Sequence, residues 1–253
     1  MIRIQLTVLF SVTCAGCFIL PVAQLTAVAK EAKSPAALLE SYDLIMGPEN
    51  FEAEVSMTAT REDATTRTYD MKMMKQGSEK FRVWFLKPSA VLGQEILRVG
   101  ENNWLYLPNL KRTSRIANRD SFQGGDFNNA DILRVNYQQD YTADFSKEKS
   151  EPSTVVLELK AKSKSSSYDR IELWLKADSG APVKAQFYGT SGKMLRSAEY
   201  SNLKALDGKV ERPTHIVMKN EIVPARKSEL NYVVFKTAVS FPAQRFSQTD
   251  LGK

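Results

Sequence analysis

The sequence predicts a mainly β protein with few helices: a curved antiparallel sheet, an incomplete β-barrel, closed by short helices. Three observations carry that expectation. Strand-like runs follow one another from Phe51 almost to the end of the 253 residues. Most are separated by short turns, which fits an antiparallel meander and leaves no room for the helical crossovers of a parallel sheet. Several runs are apolar on both faces: Phe81, Val83 and Phe85 alternate with Trp84 and Leu86, and Trp104-Leu105-Tyr106-Leu107, Ile171 to Leu175 and Tyr232 to Phe235 behave likewise. Such strands need cover on both sides, and about a dozen of them exceed what an open sheet carries without curling. A sandwich, in which a second sheet supplies the cover, stays open as the alternative.

Residues 1–29 read as an export signal cleaved after Ala29. Arg3 precedes an apolar stretch from Ile4 to Leu20, Pro21 breaks it, and Ala27-Val28-Ala29 offers small residues at the positions a signal peptidase reads. Two other readings remain. The stretch can stay as a membrane anchor, although Ser11, Thr13 and Gly16 interrupt it. Ala15-Gly16-Cys17 also has the small-small-Cys form of a lipidation site, which would anchor the chain at Cys17. Both cysteines, Cys14 and Cys17, lie inside this segment, so cleavage leaves no disulfide, thiol nucleophile or thiolate metal site. Residues 30–253 then suffice for one domain that must be held by its core. The net charge of +6 becomes +5 once Arg3 leaves, a mild excess compatible with an anionic membrane surface.

The elements follow in order. Ser34 caps and Pro35 opens an amphipathic helix over 35–46, ended by Gly47-Pro48. Strands are expected at Phe51–Glu62, Thr66–Lys75, Lys80–Lys87, Gln94–Val99, Asn103–Leu107 and Lys111–Ile116, with turns at Gln76-Gly77-Ser78 and Gly100-Glu101-Asn102. From Asp120 to Tyr141 the pattern breaks into a glycine loop and a short helix near 128–136. Strands resume at Tyr141–Phe145, Thr154–Ser163, Tyr168–Ala177, Pro182–Gly189, Leu195–Leu206, Glu211–Glu221 and Ser228–Ser240. The two helices are the elements available to fill the concave face, and being short either can serve as a lid.

Chemistry-bearing residues are sparse. His215 is the single histidine, which excludes a two-histidine metal site and leaves little scope for histidine-based nucleophilic catalysis. Asp126 and Asp131 suit capping and turn formation better than paired acid-base work. Gly124-Gly125 lacks the Gly-Lys-Ser/Thr of a phosphate loop. Met57, Met71, Met73 and Met74 have no cysteine or histidine beside them and read as flexible apolar filler rather than a copper site. The basic run Lys111 to Arg119 fits a solvated edge that discourages aggregation, or a contact with lipid headgroups or an acidic partner. No metal, cofactor or catalytic residue is expected.

At Trp104 to Pro108, the basic run to Arg119 and Ser121-Phe122-Gln123-Gly124-Gly125-Asp126-Phe127, the sequence resembles outer-membrane lipoprotein-sorting proteins of the LolA-like superfamily. More diffusely, the likeness runs from about Leu38 to Phe246. It departs after Asp126-Phe127, where Asn128-Asn129-Ala130-Asp131 replaces the family's aromatic and Glu-Asp pair. The resemblance implies a half-barrel closed by helices that holds acyl chains or other apolar groups in the periplasm. It further implies a non-enzymatic carrier for lipoproteins or lipids, working with an inner- or outer-membrane protein partner. A periplasmic sensing or transporter-accessory module that binds the same cargo without transferring it is the alternative. Nucleic acid is not an expected partner, and a monomer is. Trp84, Trp104, Tyr106, Phe122, Phe127, Ile132 and Leu133 are the expected cavity or lid residues, with plain core packing as the competing role for each.

Overall fold

Alternation sets the sheet. In the first strand, β1 (Asn50–Thr60), Phe51, Ala53, Val55, Met57 and Ala59 are buried while their neighbours are more open. Its antiparallel partner β2 (Thr66–Gln76) places Met73, Met71 and Tyr69 opposite Ala53, Val55 and Met57. The computed structural model describes residues 33–134, 136–147 and 153–253, so the signal segment, its cleavage after Ala29 and the lipidation site at Cys17 lie outside the described residues. Lys33–Lys253 form one compact unit.

β3 (Lys80–Lys87), β4 (Glu95–Val99), β5 (Asn102–Leu107) and β6 (Arg112–Ile116) continue the first meander. A second meander follows: β7 (Tyr141–Phe145), β8 (Thr154–Ala161), β9 (Arg170–Lys176), β10 (Pro182–Tyr188), β11 (Met194–Lys204), β12 (Arg212–Asn220) and β13 (Lys227–Thr237). β13 pairs with β1 and joins the two into a single thirteen-stranded antiparallel sheet, ordered β6-β5-β4-β3-β2-β1-β13-β12-β11-β10-β9-β8-β7. The edge strands β6 and β7 do not pair, so the sheet stays open. The strands agree with the expected ones to within a few residues at each end.

One face of the sheet holds the main core, a continuous cluster that joins residues of both meanders to α1 (Pro35–Met46) and to the connection between β6 and β7. α1 forms as its sequence dictates. The Ser34 hydroxyl accepts the Ala37 N–H at 3.2 Å, Pro35 sits at the first position, and Leu38, Leu39, Tyr42, Ile45 and Met46 are buried. At its other end the Lys75 ammonium donates to the carbonyls of Gly47 at 3.0 Å and Pro48 at 2.9 Å, a cation where the helix leaves bare acceptors. The helix expected near 128–136 is instead two short ones, α2 (Asn129–Leu133) and α3 (Tyr137–Asp140). The break at Arg134 has a physical cause: its guanidinium grips Asp140 at 2.7 and 3.0 Å and Glu101 at 2.6 Å, and its backbone leaves the helical region.

The opposite face carries a second cluster. Met74, Leu97, Trp84, Val99, Trp104 and Tyr106 pack under a C-terminal strap whose Phe241, Phe246 and Leu251 face them. Arg82, fully buried, fastens the strap: it donates to Glu95 of the sheet at 2.8 Å, to the Asp250 carboxylate at 2.8 Å and to the Arg245 carbonyl at 2.6 Å. The two-sided strands of this region are therefore covered on one side by helices and on the other by the strap.

Candidate functional site

The β6–β7 connection enters the concave face through the Gly-Asp-Phe motif, and each of its residues has a distinct task. A side chain at Gly125 would come within 2.9 Å of the Ser228 hydroxyl, so only glycine permits the loop to lie this close to β13. Asp126 then pins the loop: its N–H donates to Ser228 Oγ at 2.9 Å, and its carboxylate accepts from Asn220 at 2.9 Å and pairs with Arg226 at 3.3 Å. Phe127 follows into the core, 3% exposed. On the other side of the loop, Tyr69 donates its hydroxyl to the Gln123 carbonyl at 3.1 Å.

Behind Phe127 lies a cavity of about 30 Å³ between the sheet and the helices. Tyr42 and Met46 of α1 line it, as do Ile132 and Asp131 of α2 and Tyr137 of α3. Phe187, Tyr200, Ile216, Met218, Leu230 and Tyr232 of β10 to β13 close it from the sheet side. The helix side is held by ring contacts: Tyr42 stacks on Tyr137 at 5.2 Å between centroids, and the Tyr42 and Tyr200 hydroxyls are 3.5 Å apart.

Two buried carboxyls tie this cover together. Asp43 of α1 accepts the backbone N–H groups of Tyr137 at 2.8 Å and Gln138 at 2.9 Å, capping α3 from another helix. Asp131 accepts the Asn128 N–H at 2.7 Å and the Tyr168 hydroxyl at 2.9 Å, and Arg196 donates to that same hydroxyl at 3.2 Å. Burial pushes both carboxyls up to about 6, against the opposing pull of these hydrogen bonds. Burial likewise brings the Lys75 ammonium beside α1 down to about 8.

The expected site residues separate by face. Phe122, Phe127, Ile132 and Leu133 belong to the concave cluster, and Phe127 and Ile132 line the cavity itself. Trp84, Trp104 and Tyr106 lie on the convex face under the strap, away from that cavity. The sheet-side lining of Phe187, Tyr200, Ile216, Met218, Leu230 and Tyr232, with Tyr42, Met46 and Tyr137 from the helices, was not singled out from the sequence. Its signal was the alternation of Leu230 and Tyr232, or of Ile216 and Met218, which marks a shared face without saying which side it meets.

Of the other chemical candidates, Met57, Met71 and Met73 pack into the concave core and Met74 into the convex cluster. The basic run falls on β6, an edge strand of the sheet. His215 stands between Ser201, whose hydroxyl is 3.1 Å from Nδ1, and Glu229, 3.2 Å from Nε2. The three residues sit side by side on neighbouring strands, with His215 paired to Ser201 of β11 in register and to Asn231, two residues from Glu229, on β13. Among the described residues no cluster of three or more His, Cys, Asp or Glu suits a metal ion, and no helix is long and apolar enough to cross a membrane.

An open antiparallel sheet with a helix-covered apolar face defines a LolA-like protein, and solved structures agree. A LolA superfamily protein from Nitrosomonas europaea is 27% identical, with 86% of this chain and 99% of that chain covered at a TM-score of 0.78. An outer membrane lipoprotein-sorting type domain from Vibrio parahaemolyticus (23% identity, 85% and 96% covered, TM-score 0.74) shares the fold. So does a DUF1329 family protein from Desulfovibrio piger (18%, 87% and 100%, 0.76). A family model described as an uncharacterised protein matches residues 77–253, and the chain belongs to that family within the LolA-like superfamily. Among curated proteins none matches.

Proposed function

We propose that the protein is a non-enzymatic binding protein of the carrier type, which holds the acyl chains or other apolar groups of a lipid or lipoprotein against the concave face and passes them on within the periplasm. The observation that carries this reading is the composition of the cover: an apolar sheet face shut by one twelve-residue helix and two much shorter ones, with a cavity left between them. The names of the Nitrosomonas and Vibrio relatives point the same way.

The cavity of about 30 Å³ takes roughly one water, so cargo enters only by displacing the cover. Burying a methylene contributes about 0.8 kcal/mol, and a long acyl chain therefore gains on the order of 10 kcal/mol. Displacing α1 or the α2–α3 segment exposes Leu38, Leu39, Ile45, Ile132 and Leu133 in exchange, which offsets much of that gain and lets the cargo leave again. Phe122, Phe127, Ile132 and Leu133 are the connection's side chains that cargo would replace.

The test is gentle purification of the chain from Lys30 onward, native mass spectrometry and lipid extraction of what accompanies it, followed by transfer from donor to acceptor vesicles. Acyl-chain species in fixed stoichiometry that move to the acceptor support the carrier. Bound lipid that never transfers supports the sensing or accessory role instead. A protein that is empty and also fails to take up an apolar dye overturns both.

A further inference from the structure

We propose that two neighbouring turns, the one after β3 and the one after β5, form a docking surface for the anionic face of a lipid bilayer. Eight large apolar side chains are exposed among the described residues, and three of them belong to these turns and the strand end beside them: Leu86 (46% exposed), Leu92 (58%) and Leu110 (61%). The Gly93 N–H donates to the Phe85 carbonyl at 3.1 Å, which brings the turn bearing Leu92 back to the end of β3 that bears Leu86. A methyl group placed on Gly93 would lie 3.7 Å from the Pro108 ring, so the turn bearing Leu110 abuts the first.

The surroundings of these leucines are basic. Lys87 has a side chain 75% exposed, and Lys111 and Arg112 are exposed next to Leu110. Lys87 pairs with Asp70 at 3.0 Å, so the charge these turns offer to phosphates comes from Lys111 and Arg112. Projecting leucines on turn tips, flanked by lysine and arginine, suit the headgroup region of an anionic bilayer: the apolar tips enter the acyl boundary while the cations meet phosphates. A protein partner would instead be served by a groove or a flat apolar area, which separated tips do not provide. The position also serves a carrier. Gln94, directly after Leu92 and Gly93, faces Gln123 of the glycine loop at 3.5 Å, so the docked turns adjoin the loop that enters the concave face.

The experiment is flotation of residues 30–253, stripped of ligand, with vesicles of phosphatidylglycerol and phosphatidylcholine in equal parts, at low and high salt. Binding that weakens with salt and with pure phosphatidylcholine is expected. L92D/L110D is expected to lower the partition about tenfold or more with unchanged thermal unfolding, since both side chains are exposed. K111Q/R112Q, at two exposed positions, is expected to weaken binding several-fold and flatten the salt dependence, and it keeps the test decisive if the aspartates disturb folding. Absence of wild-type binding to anionic vesicles at low salt, or binding by L92D/L110D equal to wild type, overturns the proposal and leaves any partner of these turns to be a protein. Flotation needs no cargo, so its failure is distinct from failure of the dye and lipid-extraction tests.

Discussion

The two faces of the sheet both bury apolar residues and are put to different use. The concave face meets helices that are short, tied by two buried carboxyls and backed by a cavity. The convex face meets a strap of two short 3-10 turns, Ala243–Phe246 and Gln248–Asp250, locked by a buried arginine whose partners are sheet and strap alike. Apolar residues on both faces of a strand thus report two covers, and what distinguishes them is the chemistry of the fastening. Arg82 joins charges that cannot separate without stranding one of them in the interior. Asp43 holds backbone N–H groups that water can satisfy when the helices part.

The largest expected effect follows from removing one cover entirely. Ending the chain at Ser240 deletes Phe241, Phe246 and Leu251 and the strap's acceptors for Arg82. The cost should be about 5 kcal/mol or more in urea unfolding, with a red-shifted emission as Trp84 and Trp104 meet water. Apolar-dye binding at the concave face should persist in the fraction that stays folded; its loss would mean that the faces are not separable. Arg82→Met is the finer version. It leaves Glu95 buried without its guanidinium and should lower stability by about 3 to 5 kcal/mol.

Phe127→Ala supplies the concave counterpart. Deleting a buried ring should cost about 3 kcal/mol, close to the Arg82 variant, and should also weaken dye and acyl-chain binding several-fold because the ring borders the cavity. Comparing these variants at conditions where each is folded separates binding from stability. Equal dye affinity in the two would remove Phe127 from the ligand site.

How far the sequence foretold this arrangement depends on the range of the contacts. Local periodicity and turn residues marked the strands and α1, because alternation and capping act between near neighbours. Phe81, Val83 and Phe85 were separable from Trp84 on the same grounds. Which set faces inward was not legible, since it is decided by β13 returning to β1 and by the strap, both remote in the chain. The strap carries its apolar residues at Phe241, Phe246 and Leu251, five apart, a spacing that matches neither a strand nor a helix. The break at Arg134 was hidden as well, because Glu101 and Asp140 reach it through the fold. The cavity's sheet-side residues come from four strands whose common face only the curvature reveals.

Acid should pull the two covers in opposite directions, which is the subtlest way to sharpen the comparison. Asp43 and Asp131 stand at about 6 in the folded protein and near 3.8 when unfolded, so between those values the native state binds more protons. Their contribution to stability is greatest below about pH 4 and is lost as pH rises through about 6. Burial outweighs the downward pull of Lys75 on Asp43 and of Arg196 and Tyr168 on Asp131, and Asp140, a like charge, adds to the rise of Asp43. Asp250 of the strap behaves inversely: the hydrogen bond from Arg82 holds it below the usual carboxylate range, and its contribution is present at neutral pH and fades as pH falls through that depressed value. In D43N/D131N the unfolding free energy from urea titration should therefore fall less than that of the wild type between pH 4.5 and 7.5, by about 2 kcal/mol for each carboxyl removed. Dye uptake by the wild type should be slower at pH 5 than at pH 7.5, because protonation removes the cost of a closed, buried carboxylate. An uptake rate independent of pH in the wild type, or unchanged by the double substitution, would show that the helices do not open along the contacts these two carboxyls make.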